Sequence, residues 1–247
     1  MTQTKREYWH RYWSGRSHGG HRYGGAEFLR RDAQEKLMLL EGGGSLLDFG
    51  CGAGEVLQYL APSYAPVLGV DFSPAMLAAA RARLDAEGLT RVGLLQADDT
   101  SVWRELPHPF SRIAAGQVIQ YLDDDALGAF LTQARAWVEP GGRVALFDVI
   151  DPRLGYLFAL GLLGDDGRQA RLGPVLFRRA LRHGLRASYR ALQGLPREEM
   201  GVAHHPARVR DLAAEAGFAC DIVWSRYYEY RFHALLREAP HAARTAR

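Results

Sequence analysis

Residues 46–54 constrain this chain more than any other stretch. Leu46 and Leu47 begin an apolar run that reaches Asp48 and Phe49, and Gly50, Gly52 and Gly54 then occupy every second position. A helix-like segment, residues 55–61, follows at once. A strand that turns off sharply into a helix needs left-handed backbone, which glycine adopts without a Cβ penalty. The missing side chains also let a ligand approach bare N–H groups at the turn. The G-x-G-x-G spacing is not the G-x-G-x-x-G of dinucleotide sites, and no Gly-Lys-Ser/Thr follows to make a phosphate loop.

The same strand-then-acid grammar recurs downstream. Residues 67–71 are apolar and end on Asp71, and residues 92–98 end on Asp98. Residues 113–117 form a fourth run, and Pro140-Gly141-Gly142 leads into a fifth at residues 143–149. Helical spacing fills the gaps. Met76, Leu77, Ala80 and Leu84 share a face of residues 74–87, and Leu127, Phe130, Leu131 and Ala134 share one of residues 124–138. Strand and helix alternating in this way predict an α/β fold with a parallel sheet covered on both faces.

With these motifs in place, the chain resembles the class I S-adenosylmethionine (SAM)-dependent methyltransferases over roughly residues 40–150 and again over 206–237. The glycine turn matches that family's first motif, Asp71 the acid closing the second strand, Asp98 the acid after the third, and Pro140-Gly141-Gly142 the turn before the fifth. One departure is visible: Phe110-Ser111 stands where the family often has Phe-Asp. The resemblance implies a doubly wound, mostly parallel seven-stranded sheet in the order 3-2-1-4-5-7-6, with an antiparallel closing hairpin. It implies SAM as cofactor, bound by Asp48, Gly50, Cys51, Gly52, Gly54, Asp71, Phe72, Met76, Asp98, Asp99 and Gln117, and it implies no metal.

Elementary chemistry agrees with that assignment. A carboxylate such as Asp71 accepts hydrogens from both ribose hydroxyls, and Asp98 accepts from an adenine amino group. Both lie at carboxyl ends of parallel strands, where open α/β sheets bind ligands. Plainer readings stand beside these. Gly50 and Gly52 would also serve tight packing. Ser73, directly before Pro74, is a better helix N-cap than Asp71. Of the adjacent pair, one of Asp98 and Asp99 caps the next segment while the other meets adenine, and register favours Asp98 for adenine. Met76 fits the adenine edge and the core equally well.

At 247 residues with 47% hydrophobic content, the natural count is one α/β domain with additions. The first residues carry charges and aromatics rather than a leader's apolar stretch, and no apolar run has transmembrane length. Cys51 and Cys220 make neither a disulfide framework nor a metal cluster. The cytoplasm is the expected compartment.

The organisation reads as an N-terminal unit at 1–40, the cofactor core at 41–150, an insertion at 151–205, the core's completing helix and hairpin at 206–237, and a frayed tail at 238–247. The resemblance makes the insertion a helical lid. It carries eight arginines and no acid between Gly167 and Arg197, with Arg178, Arg182, Arg186 and Arg190 at i, i+4. Such a stripe suits an anionic acceptor, an acidic lipid surface or plain solvation. Residues 14–25 hold five glycines together with His18, His21, Arg16, Arg22 and Tyr23, which predicts a flap closing over the bound molecules.

Four histidines are candidate general bases: His204 and His205 ahead of the late helix, and His18 and His21 in the flap. The combined expectation is a methyltransferase acting on oxygen of a small-molecule or lipid-linked acceptor, with an anionic group in keeping with the basic insertion. Two alternatives stay open, an RNA methyltransferase and a non-catalytic SAM-binding protein. Against the first, the fourth strand runs into Gly116-Gln117-Val118-Ile119 rather than Asn/Asp-Pro-Pro-Tyr/Phe, so no nucleic acid is expected. Peripheral membrane contact through the insertion and a homodimer complete the partner expectations.

Overall fold

The chain's alternating pattern closes into one sheet in the computed structural model, which describes residues 25–159, 163 and 201–240. Helix α1 (Gly25–Leu40) precedes β1 (Leu46–Phe49). Then come α2 (Leu57–Leu60), β2 (Val67–Asp71), α3 (Pro74–Ala86), β3 (Gly93–Gln96), α4 (Val102–Glu105), β4 (Phe110–Gly116), α5 (Asp124–Trp137) and β5 (Val138–Ile150). After α6 (Pro152–Ala159), the chain re-enters with α7 (Pro206–Glu215), β6 (Phe218–Trp224) and β7 (Arg231–Glu238). The strand order is β3-β2-β1-β4-β5-β7-β6, as the resemblance implied. β1 to β5 run parallel, and β7 lies antiparallel between β5 and β6.

Strand residues point alternately to opposite faces, and here both faces are core. Leu47, Phe49, Ile113, Ala115, Val144 and Leu146 go to one layer, which α5 and α7 cover with Leu127, Phe130, Leu131, Val209 and Leu212. Leu46, Ala114, Ala145 and Phe147 go to the other, covered by Ala33 and Leu40 of α1, Leu57 and Leu60 of α2 and Leu84 of α3. That two-sided burial is why the strands read as near-continuous apolar runs rather than alternating ones.

Local chemistry fixes the helix starts. The Ser73 hydroxyl accepts from the Met76 N–H at 3.3 Å with Pro74 at the first helical position, and Asp123 caps α5 by accepting from the Ala126 N–H at 3.0 Å. Pro140-Gly141-Gly142 makes a register jump within β5. Val138 pairs with Phe110, yet the next partner of β4, Arg112, faces Arg143. Gly141 turns at φ +74, and a Cβ on Gly142 would sit 2.8 Å from the carbonyl oxygens of both Glu139 and Ser111. Ser111, the departure from the family pattern, stitches β4 to the start of β1: its N–H donates to Ser45 Oγ at 2.9 Å and its hydroxyl to the Ser45 carbonyl at 2.8 Å.

A second irregularity lies further along β5. Pairing with β7 slips between Leu146 and Val149, and Asp148 takes left-handed backbone (φ +59). Among the described residues no helix is long and apolar enough to cross a membrane. His18, His21 and the flap up to Gly24, the four-arginine stripe and the last seven residues of the tail lie outside the described residues, as does most of the insertion.

Candidate functional site

At the carboxyl end of β1, the three glycines divide their labour. All have left-handed backbone, at φ +74, +55 and +72. A Cβ on Gly50 would meet Val118 Cγ2 at 2.8 Å, and one on Gly54 would meet Ala80 Cβ at 3.3 Å, so these two are packing glycines. A Cβ on Gly52 meets nothing within 4 Å. The Gly52 N–H donates to Asp71 Oδ2 at 3.0 Å, while Asp71 Oδ1 accepts from the Ser73 N–H at 2.9 Å. The Gly50 and Cys51 N–H groups both donate to the Val70 carbonyl, at 2.8 and 2.9 Å. The turn is thus held against β2 by backbone and carboxylate together, with open space in front of its middle residue.

Beside it lies a pocket lined by Lys36, Asp48, Gly50, Cys51, Val56, Leu60, Ala114, Gly116 and Phe147. Cys51 is buried, and its thiol is pushed well above the usual range by burial first and then by the Asp48 and Asp71 charges. It is a packing residue and no nucleophile.

The remaining expected cofactor residues sort as follows. Asp98 Oδ1 accepts from the Ser101 N–H at 2.8 Å, the Thr100 N–H at 2.9 Å and the Thr100 hydroxyl at 2.7 Å. The capping role expected of one member of the pair therefore falls to Asp98, the member that register had favoured for adenine, and Asp99 sits half-buried beside it. Met76 is buried in the core-facing side of α3. Phe72 is half-buried, and its carbonyl accepts from Gln96 Nε2 at 3.3 Å. Gln117 holds left-handed backbone (φ +58). Its N–H donates to the Phe147 carbonyl at 3.0 Å and its amide nitrogen to Asp148 Oδ2 at 3.4 Å.

The two described histidine candidates have structural partners instead of a reacting atom. His204 is buried, with Nε2 on the Leu122 carbonyl at 3.0 Å and Nδ1 on Asp124 Oδ1 at 3.1 Å. Both partners are acceptors, so the ring serves both only with a hydrogen on each nitrogen, and neither nitrogen is left to take a proton from an acceptor molecule. Arg208 and then His204 hold the Asp124 carboxyl below the usual carboxylate range against the opposing effect of burial. His205 is exposed and N-caps α7 by accepting from the Ala207 N–H at 3.2 Å. That geometry corrects the general-base expectation for His204, while His205 engages only its Nδ1.

What sequence reasoning missed is a buried ionic cluster against the pocket. Asp32, Glu35 and Lys36 lie on one face of α1, and all three are buried. Lys36 Nζ pairs with Asp32 and, at 3.0 Å, with Asp148 Oδ2. The Asp148 N–H donates to His233 Nδ1 at 3.1 Å, and His233 Nε2 lies 3.7 Å from Glu35. Arg231 donates to the Asp148 carbonyl at 2.7 Å and to Gln120 Oε1 at 3.2 Å, with its guanidinium over the Tyr230 ring at 4.9 Å. Tyr228 and Tyr230 are both buried with Phe28 and Ile150. The available signal was helical spacing: positions 28, 32, 35, 36 and 40 form the inward face of α1, and three of them are charged.

Both stems of the insertion stand at this same edge. The Asp151 N–H donates to the Tyr230 carbonyl at 3.1 Å as the chain leaves, and the His204 N–H donates to the Ile150 carbonyl at 2.9 Å as it returns. A Cβ on Gly201 would lie 2.5 Å from the Gln120 carbonyl oxygen, so only glycine lets the returning stem approach so closely.

Comparison with known proteins meets this geometry at the glycine turn. Residues 46–142, from β1 through the Pro-Gly-Gly turn, match the methyltransferase domain family. Over this region the chain is similar to a methyltransferase domain. Around it, the chain is 30% identical over 118 residues to a ubiquinone biosynthesis O-methyltransferase of Pseudomonas paraeruginosa (strain PA7), a stretch that is 48% of this chain and 50% of that protein. It is 26% identical over 118 residues to the protein of the same name from Acinetobacter baumannii (strain AYE), covering 48% and 49%. The chain spans about half the length of the curated relatives it matches. Among solved structures, a DhpI-SAM-HEP complex aligns with a TM-score of 0.64 at 20% identity, covering 96% of this chain and 99% of that one. Magnesium protoporphyrin IX methyltransferase (ChlM) from Synechocystis PCC 6803 with bound SAH aligns at 0.55 and 16%, covering 95% and 93%. At such identities the likeness is one of fold, and the fold extends well beyond the methyltransferase domain to the hairpin β6–β7.

Proposed function

We propose that this chain is a SAM-dependent methyltransferase that methylates a hydroxyl oxygen of a small molecule. The observation that carries the reading is Gly52. Its amide is tied to Asp71 at 3.0 Å, and the space before its Cα is open, at the carboxyl edge where such sheets hold ligands. The residues present fit the cofactor. Asp71 is the carboxylate for ribose hydroxyls. Asp48, a carboxylate facing the pocket, matches the ammonium of an amino-acid end. When bound, SAM supplies an electrophilic methyl group. This chain's residues orient it, exclude water and hold the acceptor in line, which is most of what such a transfer asks of a protein. Oxygen as the methylated atom rests on the relatives named as O-methyltransferases.

Isothermal titration with SAM, followed by a tritiated-methyl transfer assay over a panel of phenols, catechols and hydroxy acids, tests both levels. Micromolar SAM binding and label in an ether product are expected. A folded protein that does not bind SAM would refute the cofactor. Binding with label transferred only to nitrogen or sulfur acceptors would refute the oxygen assignment alone.

A further inference from the structure

Two residues with left-handed backbone meet at the rim of the pocket. Gly116, at the end of β4, and Phe147, late in β5, line it, and the residues that follow them, Gln117 (φ +58) and Asp148 (φ +59), are joined by the 3.4 Å bond from the Gln117 amide to Asp148 Oδ2. Strained non-glycine backbone persists only where surroundings over-determine it, and it concentrates at active sites and ligand clamps. The Asp148 side chain is fully buried. Oδ2 is occupied by Lys36 at 3.0 Å and by Gln117. Oδ1 accepts no hydrogen bond. His233 Nδ1 is 3.8 Å from it, and that nitrogen already accepts the Asp148 N–H. Burial alone would raise this carboxyl's pKa, but Lys36 first, and then the neighbouring His233 and Arg231, outweigh it and keep the group an anion. A buried carboxylate oxygen without a donor is costly and calls for a partner.

We propose that Asp148 is the positioning residue for the methyl acceptor, its Oδ1 taking the hydrogen bond of a neutral hydroxyl on an alcohol or phenol. The inference rests on the methyltransferase reading and narrows its acceptor. An oxyanion in that place would meet the charge of Asp148, whereas an intact O–H satisfies the empty acceptor. The position suits the role, because residues 117 and 148 directly follow Gly116 and Phe147, which pair across β4 and β5 and line the pocket.

The test uses the full chain saturated with S-adenosylhomocysteine and two probes that differ only in their hydroxyls, catechol, which is neutral at pH 7, and its dimethyl ether veratrole. The wild type is expected to bind the catechol at least about tenfold more tightly, the worth of one hydrogen bond to a charged group. Asp148→Ala should abolish that discrimination and Asp148→Glu should restore part of it, with affinity for S-adenosylhomocysteine unchanged within about threefold. A fold-only role would not alter the preference for hydroxyl over ether. Discrimination that survives in Asp148→Ala would overturn the proposal. So would a wild type that binds the two probes equally or binds neither, a comparison that holds even if the alanine variant fails to fold. Loss of S-adenosylhomocysteine binding by the wild type would instead strike the methyltransferase reading itself.

Discussion

Gly52 and Asp71 lie nineteen residues apart and are joined by a 3.0 Å bond from the glycine amide to the carboxylate, so one acid both pins the turn after β1 and closes β2. Asp71→Ala removes a charged acceptor from the turn and from the cofactor's ribose. SAM affinity should fall by about 1.5–3 kcal/mol, measurable by calorimetry, with the far-ultraviolet dichroism retained.

The contrast between neighbouring glycines gives a paired prediction. Gly50→Ala places a methyl against Val118 and should lower the melting temperature, at an overpacking cost of about 1–3 kcal/mol. The Cβ of Gly52→Arg has open space, so the change should cost chiefly the strain of its left-handed backbone while abolishing SAM binding. The reverse pattern, with stability lost at 52 and binding lost at 50, would contradict the division.

His204 ties the returning stem of the insertion to the loop after β4 through Leu122 and Asp124. His204→Ala should cost about 1.5–3 kcal/mol of stability in urea unfolding, as buried bonds to a charged partner do. SAM affinity should be unchanged, and any methyl transfer should persist in the surviving folded protein. Complete loss of transfer with unaltered stability would return His204 to the reacting centre.

The Asp148 carboxyl has a depressed folded pKa, so it binds its proton less readily in the native state than in the unfolded chain. Its contribution is complete above the unfolded carboxylate value and is lost as pH falls, beginning near pH ~5 and continuing below ~3. Stability measured by urea at pH 7, 4 and 3 should decline on acidification, and less steeply in Asp148→Asn. Equal slopes would show that the Asp148 charge is not linked to folding.

Much of the sheet was legible because its signals are local. Each strand ends on a turn or an acid, and each covering helix repeats its apolar residues at 3.6-residue spacing, so β1 to β5, α3 and α5 appear within a few residues of where the sequence puts them. Ser73 and Pro74 announced their cap in the same way. The acceptor edge was not legible, because its meaning depends on partners far along the chain. Asp32, Glu35 and Lys36 acquire their partners only when Asp148 and His233 arrive from β5 and β7. His204 read as a base because a histidine before a helix has two free nitrogens in sequence, and only the fold shows both engaged. Asp98 and Asp99 are chemically equivalent in one dimension, and the Thr100-Ser101 turn is what distinguishes them.

The charges on the inner face of α1 also bear on how small this molecule can be made. An excised fragment of residues 46–142 would keep the glycine turn and Asp71 but would lose α1, most of β5 and all of β7. Extending it to residue 150 would recover Asp148 while leaving that buried anion without Lys36, Arg231 or His233. A buried carboxylate stripped of its counter-charges is strongly destabilising. The segment that carries the family signature is therefore expected to lose stability when excised, since trimming from either end strips both the cover of β5 and the partners of Asp148.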